Sequence, residues 1–356
     1  MGAAGLDGPV RAGDLKAFYR VCSVIFMQRL RIATFNLENL DDEPGEEAPF
    51  AERVAVLRPQ LLRLDADILC FQEIHGQAIA KHQRTLRALQ KLIEGTPYEG
   101  YAMAASEHPP GHGPAGIHNL VTLSRFPIQK SESVRQSIVA PPLYRTLTSD
   151  PPAPAPEPVP WERPVLYSLI ELPGGRPLHV VNLHLKAPLA AHVPGQKTGP
   201  FQWRSVAGWA EGFFLAEIKR AGQALEVRLL VDRIFDADEG AFIVVAGDLN
   251  ADISEMPARL LLGAIEDTGN GLLAHRALVA VERGLPEDRR FSVVHAGERV
   301  MLDHLLLSRA ILAHYRRIEV HNEALGDEVI AYASVKASPE SYHAPVVAEL
   351  ELPDEA

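Results

Sequence analysis

Positions from Leu30 to Leu37 alternate and then run apolar. Short bursts of the same kind recur at "ADILCFQE", "NLVTLSRFPI", "PVLYSLIEL", "LHVVNLHL", "AFIVVAGDLN", "MLDHLLLS" and "APVVAELEL". Apolar runs of this length between turn-forming residues predict strands, and many of them end in polar or charged residues. Helical spacing fills the gaps at 51–64, 77–94 and 203–236, the last with an apolar stripe through Ala221, Leu225, Leu229 and Val231. Paired strands with helices between them predict sheets packed together and flanked by helices. Nine of the 28 prolines fall between 141 and 164, a density that excludes helix and central strand. Because the strands on either side continue in the same style, this segment reads as an extended surface insertion within one domain. A second insertion covers 187–203, "APLAAHVPGQKTGPFQW". Residues 1–29 read as a poorly ordered N-terminal extension, with Met27 opening the first strand, and 30–356 as a single domain.

The strand ends deliver small polar sets. "TFNLEN" supplies Asn36, Glu38 and Asn39, "FQE" supplies Glu73, and "NLHLK" supplies Asn182, His184 and Lys186. "AGDLN" supplies Asp248 and Asn250, "LDH" supplies Asp303 and His304, and the loop before the last strand supplies His343. Taken singly, each has a plain reading: asparagine and "GDLN" are turn formers, Glu73 is a solvated strand end, and His343 closes a loop. Asn182, His184 and Lys186, at a spacing of two, share one face of a strand, where burial without partners costs about 1–3 kcal/mol each. Carboxylates with carboxamides are oxygen ligands suited to Mg²⁺ or Mn²⁺, which leaves the histidines as proton carriers.

Charge and composition narrow the partners. With 35 Lys and Arg against 46 Asp and Glu, the formal charge is −11. A polyphosphate substrate therefore has to be held by a local patch or through divalent cations. Two cysteines, Cys22 and Cys70, make no disulfide framework, and Cys70 reads as a buried strand residue; a reducing, cytoplasmic home is expected. No stretch has the roughly 18 apolar residues of a membrane span, and no segment announces a protein partner.

In this order, "ATFNLENL", "DILCFQEI", "NLHLKAP", "VVAGDLNAD" and "MLDHLLLS" resemble the endonuclease/exonuclease/phosphatase superfamily, the DNase I-like proteins. "GIHNLVTLSRFPI" is similar to the family's internal strand and "ERPVLYSLIEL" to its arginine-led strand. The resemblance runs from about Arg31 to Leu352. It implies an α/β (α+β) fold: a four-layered sandwich of two mixed, mostly antiparallel sheets packed face to face and flanked by helices. It also implies roles. Glu73 is the principal metal carboxylate, joined by Asn36 and Asp248. Asp248 and Asn250 orient the attacking water. His184 bonds a phosphoryl oxygen or protonates the leaving group, and Asp303 supports one of the histidines. Asn36, Asn182 and Arg163 contact substrate, and His343 acts as base or transition-state donor.

One position departs from the family pattern. Its final motif, Ser-Asp-His, is here Ser341-Tyr342-His343, which leaves His343 less firmly polarised unless Asp303 or Glu340 substitutes through space. The expected activity is divalent-metal-dependent hydrolysis of nucleic-acid phosphodiesters. The alternatives are a phosphatase or lipid phosphodiesterase of the same fold, or an impaired relative that only binds.

Overall fold

The computed structural model describes residues 27–353 apart from 44–47, 82, 108, 110 and 330–337. Most of the expected N-terminal extension, 1–26, lies outside the described residues. The first strand, β1 (Met27–Leu40), runs parallel to β2 (Ile68–Ile74), and the helix α1 (Phe50–Leu64) joins them. The same unit is built a second time: β11 (Arg176–His184) runs parallel to β12 (Phe242–Asp248), joined by the helix α3 (Val206–Ala237).

Antiparallel neighbours widen each parallel pair to six strands. The first sheet is ordered β17 (Tyr315–Val320), β18 (Val346–Pro353), β1, β2, β6 (Asn119–Ser124), β5 (Ala102–Ala105). The second is ordered β13 (Leu278–Ala280), β16 (Asp303–Ser308), β12, β11, β10 (Val165–Leu172), β7 (Ile128–Val134). Three two-stranded ribbons, β3–β4 (Gln77–Ala80, Gln83–Thr85), β8–β9 (Leu143–Tyr144, Glu157–Pro158) and β14–β15 (Val293–His295, Glu298–Val300), decorate the edges.

Strict alternation divides every central strand between two cores. Leu30, Ile32, Ile68 and Cys70 of the first sheet meet Leu178, Val180, Val244, Ala246, Leu305 and Leu307 of the second across the seam between the sheets. Their sequence neighbours point outward: Phe35, Leu69 and Phe71 onto Leu57 and Leu61 of α1, and Val181, Leu183 and Val245 onto Ala224, Val227 and Val231 of α3. The result is the expected four-layered sandwich, with Cys70 fully buried.

Two helix expectations need correction. Helix does not fill 77–94: the ribbon strands β3 and β4 take Gln77–Ala80 and Gln83–Thr85, and among the described residues only α2 (Arg87–Ile93) is helical. Gln77 is captured by tertiary partners, its Nε2 donating to Asp41 and its Oε1 accepting from Ala88 N in the first turn of α2. The stripe on α3 was also misplaced. Leu225 and Leu229 face solvent, and the buried face combines Ala224, Val227 and Val231 with the polar Arg220, Gln223 and Glu226. A search for apolar positions alone misses a helix face that is half polar.

At 32 residues, or about 48 Å, α3 outreaches the seven-residue strand β12 that it covers, itself about 23 Å long. Its first half overshoots and carries a small core of its own, in which Leu215 and Ala216 pack with Val159, Ala191 and Val193 from the two insertions. Glu211 fastens the first insertion by accepting from Tyr144, Leu147 and Thr148, and Glu226 accepts from Trp161 Nε1 and from Gln136, Ser137 and Ile138 N. The insertions and this half-helix together form an arm.

Where β1 and β2 end, the ladder breaks. Pairing shifts between Asn36 and Leu40, and again between Phe71 and Ile74. Glu38, Asn39 and Glu73 take φ of 46°, 49° and 61°, left-handed backbone that costs about 1–2 kcal/mol per non-glycine residue. The buried Arg53 of α1 holds the first bulge, donating to the carbonyls of Leu37 (2.6 Å), Glu38 (2.7 Å) and Asn39 (3.3 Å). Arg53→Met would strand these carbonyls and is expected to cost about 2–5 kcal/mol in urea unfolding, with Arg53→Lys restoring only part because an ammonium lacks the planar fork. A loss below about 1 kcal/mol would show that the bulge holds itself.

Candidate active site

The seam is apolar along most of its length and turns polar at one end. His184, Asp248 and Asp303 are direct register partners on the adjacent strands β11, β12 and β16. Each continues the inward-facing parity of its strand, as Asn36 does on β1 after Ile32 and Thr34. These are the carboxyl ends of the two parallel pairs, where open α/β sheets place their ligands.

Asn36 joins the two sheets. Its Nδ2 donates to Glu73 Oε1 and to Asp248 Oδ2, both at 3.1 Å, and its Oδ1 accepts from Glu38 N at 2.9 Å, which fixes the amide's orientation. Alternation from Gln72 would send Glu73 toward the helices; the left-handed turn at Glu73 brings its carboxylate to Asn36, and Oε2 accepts from Asn39 N at 3.1 Å. Asp248 accepts from Asn250 N (2.7 Å) and Asn250 Nδ2 (3.2 Å), and that Nδ2 also reaches Leu185 O. Gly247, at φ 146°, has no room for a side chain, because a Cβ would lie 1.9 Å from Leu183 O.

His343 Nδ1 pairs with Asp303 Oδ2 at 2.8 Å, and its Nε2 lies 3.9 Å from Asp248 Oδ2. Asp303 is thus the carboxylate that orients the ring. The loop is tied back by Ser341 Oγ, which donates to Asn36 O and accepts from His343 N. Tyr342 is buried, and its backbone N donates to Glu38 Oε2 at 2.9 Å. His184 Nε2 lies 3.4 Å from Asp248 and 3.6 Å from Glu73. Arg163 donates to Leu185 O and to His118 Nδ1.

Burial and neighbours divide the protons unequally. Burial pushes the Asp248 carboxyl up to about 7, with Asp303 adding repulsion. Burial acts on Glu73 in the same direction but is outweighed by His118, the Asn36 hydrogen bond, His343 and Arg163, so that its carboxyl is held below the usual range. Burial and then Arg163 drive His184 well below the ordinary imidazole value, which keeps the ring neutral. His343 goes the other way: Asp303 and Asp248 overcome its burial and hold it well above.

Not every expected residue reaches this cluster. Asn182 has the right parity but lies two positions, about 6.6 Å, deeper than His184. Its amide is wholly used between the sheets, accepting from Gln72 Nε2 (2.8 Å) and donating to Phe71 O and Val121 O. It is a tie between the sheets. Lys186 falls beyond the end of β11 and does not extend that strand face. His304 points away from the seam and pairs with Glu282 (2.5 Å) and Ala251 O (2.9 Å).

Sequence reasoning missed other members. His118 Nε2 meets Asn39 Oδ1 at 3.0 Å and lies 4.0 Å from Glu73; its only signal was a polar residue at the start of a strand. Arg53 and Arg220, which donates to Asn250 O at 2.8 Å, lie inside helices, away from any strand-end signal. Five of the eight non-glycine residues with positive φ among those described, Glu38, Asn39, Glu73, His118 and Asn250, belong to this one site, the clustering of strain expected where function fixes geometry.

The donor set fits a hard divalent cation. Ligand atoms of Glu73, His184 and Asp248 lie within 4.8 Å of one another, as do those of Asp248, Asp303 and His343. Asp303 Oδ1 is buried with no hydrogen-bond partner, a charge that favours a nearby cation.

None of the curated proteins matches the sequence. The fold matches an endonuclease/exonuclease/phosphatase family protein of Bacteroides thetaiotaomicron (17% identity, 92% of this chain and 96% of that one, TM-score 0.55). It also matches a mannosyl-6-phosphatase of the same organism (17%, 90% and 99%, 0.54) and a Neisseria 3′ phosphatase bound to a product DNA hairpin (17%, 91% and 100%, 0.51). At such identities the likeness is one of fold. A family model described as the Endonuclease/Exonuclease/phosphatase family matches residues 33–327, taking in every cluster residue from Asn36 to Asp303, and on that match this chain belongs to the family.

Proposed function

We propose that this chain is a divalent-metal-dependent phosphodiesterase whose leading substrate class is nucleic acid. The observation that carries the reading is the Asn36 amide pinned between the Glu73 and Asp248 carboxylates, facing a neutral His184 on one side and a charged His343–Asp303 pair on the other.

Glu73, Asn36 and Asp248 would hold Mg²⁺ or Mn²⁺, which supplies Lewis-acid relief of charge at the phosphoryl oxygens. Asn250 fixes the Asp248 carboxylate, which would orient the attacking water and take up its proton. As the new P–O bond forms and the ester P–O bond breaks, His343 in its imidazolium form donates to the leaving oxygen; its raised proton affinity supports donor over base. His184, through Nε2, and Arg163 steady the non-bridging oxygens. With Asp303 orienting His343, Tyr342 does not deprive the histidine of a carboxylate partner.

A lipid phosphodiester is the second reading. It is favoured by the exposed Phe201 (93%), Leu147 (81%) and Val206 (80%) on the arm. No helix among the described residues is long and apolar enough to cross a membrane, so contact would be at a surface.

Purified protein should hydrolyse bis-p-nitrophenyl phosphate and either plasmid DNA or RNA with Mg²⁺ or Mn²⁺, and lose this activity in EDTA. Glu73→Gln, Asp248→Asn and His343→Ala should each lower kcat about 10²–10⁴-fold while leaving the thermal midpoint within a few degrees. Cleavage of p-nitrophenyl phosphate alone would replace the diester reading with a phosphatase, cleavage of phospholipid alone would favour the lipid reading, and no turnover with any of them would end the enzymatic one.

Metal binding should also depend on pH. In the metal-free fold Asp248 keeps its proton up to about 7, against 3.8 ordinarily. The folded state therefore binds more protons than the unfolded one between these values, and this group's contribution to stability falls as pH rises from about 4 to 7. A cation must displace that proton, so affinity climbs with pH and levels off above about 7, by up to about tenfold per unit. The gain in thermal midpoint on adding Mg²⁺ should accordingly be larger at pH 8 than at pH 6; equal gains, or the reverse order, would remove Asp248 from the metal site.

A further inference from the structure

Between the proline-rich insertion and the first half of α3 lies a cavity of about 430 Å³, within the range of small-ligand sites. Its walls include Pro152, Pro154, Pro160 and Tyr144 on one side and Leu215 and Pro194 on the other. The walls are pre-formed: the arm has its own buried cluster, and Glu211 ties Tyr144, Leu147 and Thr148 to the helix. None of this supports the sandwich core, which draws on the second half of α3.

The cavity is joined to the catalytic cluster twice through the chain. The segment that lines it at Val159 and Pro160 delivers Arg163 to the site three residues later, a span of at most about 10 Å. The loop that leaves the site after His184 returns along the opposite wall at Ala191 and His192. The path between is cationic although the chain carries −11. Lys219, at the cavity edge, pairs with Glu162 at 2.6 Å, and the half-buried Lys186 lies in the field of Glu162, Lys219, Arg163 and Lys197. Arg163, Lys186 and Lys219 against Glu162, and against Glu157 on the cavity wall, leave a net positive strip, the charge that a phosphate backbone requires.

We infer that the arm is a base-binding subsite for single-stranded nucleic acid: the phosphate next to the scissile one crosses the Arg163–Lys186–Lys219 strip, and its aromatic base lodges against the proline and tyrosine walls. Rigid rings suit a planar occupant, since every base offers a flat face and stacking does not depend on its identity. The inference rests on the phosphodiesterase reading and names the substrate class of that site.

The test measures binding rather than turnover, in the slowed Glu73→Gln background with Mg²⁺ present. Oligothymidylate of four residues is compared with an abasic oligomer of the same backbone and charge by fluorescence anisotropy. The base-bearing strand should bind at least about fivefold tighter, the low end of what stacking one base contributes. Ala155→Trp or Ala153→Trp, placed on the exposed strap to fill the cavity, should erase that preference, whereas Lys219→Gln should weaken both strands alike. Equal binding of the two strands, no binding of either, or a preference untouched by both filling variants would overturn the subsite. Hydrolysis of bis-p-nitrophenyl phosphate by the unsubstituted protein, measured alongside, separates failure of the subsite from failure of the phosphodiesterase reading.

Discussion

Three carboxylates, those of Glu73, Asp248 and Asp303, converge at the end of a seam that is apolar along most of its length, and the rest of the site is arranged around that electrostatic demand. Like charges in a poorly hydrated place repel strongly. Each is answered differently: Glu73 by Asn36, His118 and Arg163, Asp303 by the imidazolium of His343, and Asp248 by keeping its proton. Asn36 is central because one amide donates to a carboxylate from each sheet, so the separation of the sheets and the separation of the acids are set by the same group.

Holding such a cluster requires backbone that regular strands do not provide. The left-handed turns at Glu38, Asn39, Glu73, His118 and Asn250 aim side chains where alternation would not. Buried cations from the flanking helices hold two of these loops, Arg53 on the carbonyls of residues 37–39 and Arg220 on Asn250 O. Beside Arg220, His304 grips Ala251 O with its other nitrogen on Glu282. The helices are therefore more than covers for the sheets: each parallel unit supplies both a strand end bearing acids and a helix that fixes it. The arm extends this economy, because the overshooting half of α3 organises both insertions beside the reacting groups.

Much of this was legible before any coordinates. Alternation and run length are local properties, so the central strands, α1 and the extent of α3 could be read directly, whereas the edge strands β5, β7, β13 and β17 carried no such burst; polar residues at the ends of apolar strands marked Asn36, Glu73, His184, Asp248 and Asp303 as unusual. The resemblance supplied roles that spacing cannot. Asp303 was one of two acids named as partners for His343, and it is the one in place.

What the sequence determined by itself was which residues face the seam, since a period of two follows from the backbone alone. Tertiary structure decided depth, partner and charge. Depth made Asn182 a tie between the sheets, although its parity equals that of His184. Partners 15, 79 and 40 residues away in the chain gave Arg53, His118 and His343 their places, and no local pattern encodes such distances. Charge states followed last, because desolvation and the fields of neighbouring groups exist only once the two sheets have closed on one another.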